Sequence, residues 1–137
     1  MTPPSPRVHL LIRWTAAGVA VLFGLASLVA GLGVLLGRSD PGYPVFGPLL
    51  AFNTGMGVAY VAVGAAVWRS IRWGRNGAGA VLLLNLAAWL TLLVLAAARG
   101  GVAPESLRAM GFRTGVWFAL FLTLAWLHRR SGSMSRT

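Results

Sequence analysis

The polar residue that stands out in this sequence is Arg113, because it lies within a long apolar run. Counting about 20 residues back from Trp126 places the start of a membrane-length segment near Leu107. Arg113 then lies about 9 Å deeper, at a helical rise of about 1.5 Å per residue. A charge near the centre of a membrane helix costs up to about 3 kcal/mol, and less at this depth.

Two interpretations of Arg113 follow from that depth. In the functional one, the guanidinium faces the bundle and binds an anion or a lipid phosphate. Asn53 lies at a similar depth on another span and is the expected partner, Glu105 lies two turns away on the same helix, and Trp117 at i+4 could form a cation–π contact. In the structural interpretation, which we favour from sequence alone, the side chain reaches headgroups or backbone carbonyls.

A second set of polar side chains is expected in mid-membrane. Asn53, Gly57, Tyr60 and Gly64 fall at i, i+4, i+7 and i+11, so they share one helix face. Tyr60 and Asn85 lie at matching depth on neighbouring spans, and a hydrogen bond between them would contribute about 0.6 and up to about 2 kcal/mol. Structural contact is the favoured interpretation, and a polar lining for a cavity or a quinone-like ligand is the alternative.

The sequence gives little support to an enzyme or a metalloprotein. It has no Cys, which excludes disulfides and thiol chemistry, and it has no P-loop, HExxH or Ser/His/Asp arrangement. His9 and His128 could meet at one end of a bundle and ligate haem or a metal. Because no carboxylate accompanies them within the membrane, we expect no metal and no cofactor.

Composition identifies the solvent of this chain as lipid. Of its 137 residues 57% are hydrophobic and 10% are charged, whereas soluble domains carry charge on about a quarter. The net charge of +10 does not indicate nucleic-acid binding, because the arginines cluster at the ends of apolar runs. The bilayer is therefore an expected partner, and nucleic acid is not.

The apolar runs predict a single transmembrane domain over residues 1–137, with spans at about 14–36, 49–68, 77–98 and 107–128. The first run is longer than the roughly 7–15-residue core of a signal peptide, so it is predicted to remain uncleaved. Residues 1–13 and 131–137 are predicted as polar ends. Prolines argue against a helix in the first of these, and residues 69–76 are predicted as a basic connection.

The distribution of arginine predicts the orientation. Four spans put both termini on one side, and that side holds eight arginines against four on the other. The positive-inside rule then places both termini in the cytoplasm. The predicted fold is an all-α, integral membrane, up-down four-helix bundle. Close helix contacts are expected at small residues four apart, namely Ala20/Gly24, Ser27/Gly31 and Gly33/Gly37.

These features together favour a small non-catalytic protein of the cell inner membrane. We expect it to bind partner helices or lipid, as a homo-oligomer or as an accessory subunit of a larger membrane complex. The alternative is a carrier or pore for an anionic or lipidic solute, with Arg113 and Asn53 at its outer mouth.

Overall fold

Four long helices make up the chain in the computed structural model, which describes residues 5–134. They are α1 (Pro6–Leu35), α2 (Gly47–Arg69), α3 (Ile71–Arg99) and α4 (Pro104–Met134). Residues 5–134 contain no strand. Each of the four helices is long enough and apolar enough to cross a membrane, by length and composition. The all-α prediction is confirmed.

Consecutive helices run antiparallel and pack on one another. Contacts are most extensive between α1 and α2, followed by α3 with α4 and α2 with α3, and they are much less extensive between α1 and α4. We call the end that carries the connections 36–46 and 100–103 the loop end. The opposite end, which carries Pro6, Ser70 and Met134, is the terminal end.

The helices extend beyond the predicted spans at the terminal end. The prediction that residues 1–13 are a non-helical lead is wrong for residues 6–13, because Pro6 occupies the start of α1, where its missing N–H is not needed. The predicted connection 69–76 shrinks to Ser70, whose extended backbone separates α2 from α3. In the predicted polar tail, α4 continues to Met134, and residues 135–137 lie outside the described range.

Glycines bring α1 and α2 into backbone contact. A Cβ atom added to Gly24 would lie 2.7 Å from the carbonyl oxygen of Gly57. A Cβ atom added to Gly64 would lie 3.0 Å from the carbonyl oxygen of Ala17. Ala20, Gly24, Ser27 and Gly31 are all buried, so two of the three predicted small pairs lie in the bundle. The third pair differs, because Gly37 lies beyond the helix with a φ of +66°.

One arginine joins the terminal ends of α1 and α2. The Nε of Arg13 donates a hydrogen bond to the carbonyl oxygen of Val67 at 2.8 Å, and its NH2 group donates to that of Trp68. The rings of Trp14 and Trp68 lie beside this contact, with centroids 5.8 Å apart. Because the last carbonyls of a helix lack intrahelical donors, Arg13 satisfies two groups that α2 cannot satisfy itself.

Candidate functional site

The guanidinium of Arg113 is half-buried in the bundle and contacts two other helices. Its Nη1 donates a hydrogen bond to the Ser27 hydroxyl on α1 at 3.3 Å. Its central carbon lies 5.7 Å from the ring centroid of Phe23 on α1 and 6.0 Å from that of Tyr60 on α2. This hydrogen bond goes to a side-chain hydroxyl, whereas the structural interpretation of Arg113 named backbone carbonyls or headgroups as its contacts.

The aromatic partner of Arg113 differs from the one considered from sequence. The ring contacts of its guanidinium are with Phe23 and Tyr60, and Trp117 packs instead against Tyr60 with ring centroids 4.7 Å apart. The reason is that long side chains in a helix lean toward its N-terminus. The guanidinium is therefore directed away from the residue four positions further along.

No carboxylate neutralises Arg113 within residues 5–134. Glu105 is exposed at the start of α4 and forms neither an ion pair nor a hydrogen bond there. The other acid, Asp40, accepts a hydrogen bond from the Gly42 backbone at 2.9 Å, in the loop. The contacts of the charged guanidinium are thus with one hydroxyl group and two aromatic rings.

A cavity of about 210 Å³ extends from Arg113 toward the loop end. We call it the Arg113 cavity, and it is lined by α1, α2, α4 and the first loop, with Ser27, Asn53, Tyr43, Ser106 and Arg113 as its polar residues. Asn53 and Arg113 share this space without a hydrogen bond between them. The Oδ1 atom of Asn53 is buried and has no partner within the described residues. The cavity therefore offers a cationic donor and an unused acceptor.

A second cavity, of about 240 Å³, lies between α1 and α4. We call it the α1–α4 cleft, and it is lined by Phe23, Ala26, Ser27, Ala30, Ala109, Phe112 and Arg113. Four of these residues, Ser27, Ala30, Ala109 and Arg113, also line the Arg113 cavity. The guanidinium consequently stands where the two spaces meet.

Toward the terminal end, large buried side chains close the site. Tyr60, Asn85 and Trp117 are all fully buried. The Tyr60 hydroxyl donates a hydrogen bond to Asn85 Oδ1 at 2.8 Å, which is the contact that matching depths on neighbouring spans indicated. The Nδ2 of Asn85 and the Nε1 of Trp117 have no partner among the described residues.

Comparison with known proteins adds no assignment to this geometry, since no family model, curated protein or solved structure matches the chain.

The two histidines lie near the terminal end, away from Arg113. The imidazole of His9 stacks on the indole of Trp126, with ring centroids 5.7 Å apart. The structure between residues 5 and 134 has no group of three or more His, Asp or Glu residues that could hold a metal. Among these residues, His9 and His128 therefore have no third side chain beside them that could complete a metal site.

Loss of the Tyr60–Asn85 hydrogen bond is expected to destabilise the bundle modestly. We expect a double-mutant cycle of Tyr60→Phe and Asn85→Leu to give a coupling energy of about 0.6 and at most about 2 kcal/mol. The measurement is unfolding by sodium dodecyl sulfate in mixed micelles. Thr91→Val serves as a control, because its hydroxyl is exposed and donates to the Ala87 carbonyl of its own helix. A coupling energy of zero would contradict this.

Proposed function

We propose that this chain is a small multi-span protein of the cell inner membrane, with both termini in the cytoplasm, that binds an anionic group at Arg113. Four helices of membrane-spanning length and composition support the membrane assignment. The excess of arginine at the terminal end supports the orientation. In this arrangement the Arg113 cavity opens toward the outer surface.

The observation that carries this proposal is a half-buried guanidinium that has no counter-ion among residues 5–134. Burying a charge is unfavourable unless it is paired, and attraction to an opposite charge is stronger in a medium of low dielectric constant than in water. A guanidinium has five N–H donors arranged to match phosphate or carboxylate oxygens. Ser27 accepts from one of its nitrogens, so donors remain for an anion in the adjoining cavity.

The same cavity favours binding over catalysis. Its hydroxyl groups come from Ser27, Tyr43 and Ser106, and no histidine or carboxylate among the described residues lines it. Hydroxyl groups are poor nucleophiles without a base within hydrogen-bond reach. The residues around Arg113 therefore provide donors and shape, and they lack the acid–base pair of a hydrolase or a transferase.

Binding is also favoured over transport. Tyr60 and Trp117 pack against each other on the terminal side of Arg113, and both are fully buried. A solute that passed through the bundle would have to displace these two side chains and the hydrogen bond to Asn85. Because buried side chains close the cavity on its terminal side, the site favours a protein that binds its ligand over one that transports it.

The proposal is tested with glycerol phosphate, which has the anionic group and no acyl chain. We expect it to raise the melting temperature of the purified protein in nonionic detergent, since a ligand at 100 times its Kd stabilises by about 2.7 kcal/mol. Arg113→Gln should abolish the shift, and Arg113→Lys should retain part of it. Arg108→Gln is the control, because Arg108 is exposed on the same helix. Equal shifts for the wild type and Arg113→Gln would refute the proposal.

A further inference from the structure

We propose that the ligand of Arg113 is a membrane lipid whose phosphodiester headgroup occupies the Arg113 cavity and whose acyl chain leaves the bundle through the α1–α4 cleft. The head alcohol carries a hydroxyl or ammonium group. This inference rests on the proposed function, and it adds the class of ligand and the direction from which the ligand arrives.

The two cavities differ in the chemistry of the groups that line them. The Arg113 cavity has the amide of Asn53 and several hydroxyl groups. The residues found only in the cleft are Phe23, Ala26 and Phe112, all apolar. A small anion would need the first space alone. A molecule with one polar end and one apolar end would fill both, with its charged group at the guanidinium that they share.

The position of the cleft makes it accessible from the hydrocarbon of the bilayer. It lies between α1 and α4, the neighbouring helices with the least extensive contact. Ala26, Ala30 and Ala109 are small and exposed, and Phe112 keeps 69% of its surface exposed. A chain can therefore reach Arg113 between these helices without displacing a buried side chain.

Asn53 limits which headgroups can fit the Arg113 cavity. Its Oδ1 is buried and has no partner in the part of the chain that the structure describes, and an unpaired buried acceptor is unfavourable. A carboxylate has only acceptor atoms, so it could satisfy Arg113 but could not donate to Asn53. A phosphodiester whose head alcohol has a hydroxyl or ammonium group can do both. Phosphatidylglycerol is the probe that meets these requirements with a single negative charge.

Native mass spectrometry from mixed micelles measures retention of each lipid. We expect the wild type to retain phosphatidylglycerol in preference to phosphatidylcholine, and Arg113→Gln to lose that preference. Ala26→Phe places a large side chain in the cleft only, so it should reduce phosphatidylglycerol binding at least tenfold. The same variant should keep the thermal shift given by glycerol phosphate. Ala62→Phe is the matched control, an exposed alanine on α2 outside both cavities.

The role of Asn53 is tested with phosphatidylmethanol, which has the same charge but no donor on its head alcohol. The wild type should bind phosphatidylglycerol about fivefold more tightly, the usual effect of one hydrogen bond. Asn53→Leu should remove this difference. An undiminished preference in Asn53→Leu would overturn the headgroup assignment.

The outcomes separate this inference from the proposed function. Full phosphatidylglycerol retention by Ala26→Phe would overturn the chain path, and anion binding at Arg113 would stand. Equal retention of phosphatidylglycerol and phosphatidylcholine by the wild type would overturn the lipid assignment, even with a glycerol phosphate shift. Unchanged glycerol phosphate binding by Arg113→Gln would overturn the proposed function as well.

Discussion

Gly24→Ala is expected to lower the free energy of unfolding by about 1–3 kcal/mol, the usual effect of overpacking a close-packed interface. The added methyl group would meet the Gly57 carbonyl oxygen and the Val61 Cγ2 at 2.7 Å each, and the Val61 backbone nitrogen at 2.8 Å. Backbone atoms cannot rotate away as a side chain can. The methyl group therefore forces α1 and α2 apart along the most extensive helix contact of the bundle.

Gly18→Ala provides the control on the same helix. A Cβ atom added to Gly18 would meet nothing within 4 Å, so this change should be neutral or should stabilise by up to about 1 kcal/mol through helix propensity. Both variants are compared by unfolding with sodium dodecyl sulfate in mixed micelles. If the two alanines had the same effect, backbone contact at Gly24 would not be what holds α1 against α2.

Trp117→Ala is expected to lower the free energy of unfolding by about 3–5 kcal/mol, the range for large-to-small changes at buried aromatic residues. The Trp117 side chain is fully buried, and its ring centroid lies 4.7 Å from that of Tyr60. Its removal leaves a cavity between α2 and α4 on the terminal side of Arg113. It also takes away the packing that holds Tyr60 beneath the guanidinium.

Trp73→Ala distinguishes packing from the general effect of losing an indole. Trp73 keeps 71% of its surface exposed on α3, so its truncation should change the free energy of unfolding by less than about 0.5 kcal/mol. Thermal melting in detergent and denaturant unfolding should rank the two variants alike. Losses of similar size in both would mean that Trp117 is not a central packing residue.

Hydropathy predicted the number of helices, but it misplaced several of their ends. Apolar runs indicate which residues lipid can surround. The end of a helix depends instead on where its backbone hydrogen bonding stops. Residues 6–13 and 71–76 each contain two arginines, and yet they form the first turns of α1 and α3. An arginine-rich segment can remain helical outside the hydrocarbon, because arginine is a good helix former. A single residue, Ser70, separates α2 from α3.

The sequence predicted how deep Arg113 lies in the apolar region, but it did not predict which helices its side chain contacts. Counting residues placed Arg113 inside the apolar region and matched Tyr60 with Asn85. Ser27 was predicted only as a small residue of a helix contact, although a hydroxyl in an apolar span at the depth of Arg113 was a usable signal. Phe23 gave no signal, because α1 is apolar on all sides and its pattern does not mark the face that meets α4.

The division of the site between two helix pairs has a consequence for assembly in the membrane. The hairpin of α1 and α2 contributes Ser27, Asn53 and Phe23, whereas the hairpin of α3 and α4 contributes Arg113. Each hairpin can close on its own, because its helices are consecutive in the chain. The guanidinium meets its acceptor and its aromatic partners only when the two halves associate. Formation of the cavity therefore requires the two halves to associate, and an occupant would strengthen the contact between them.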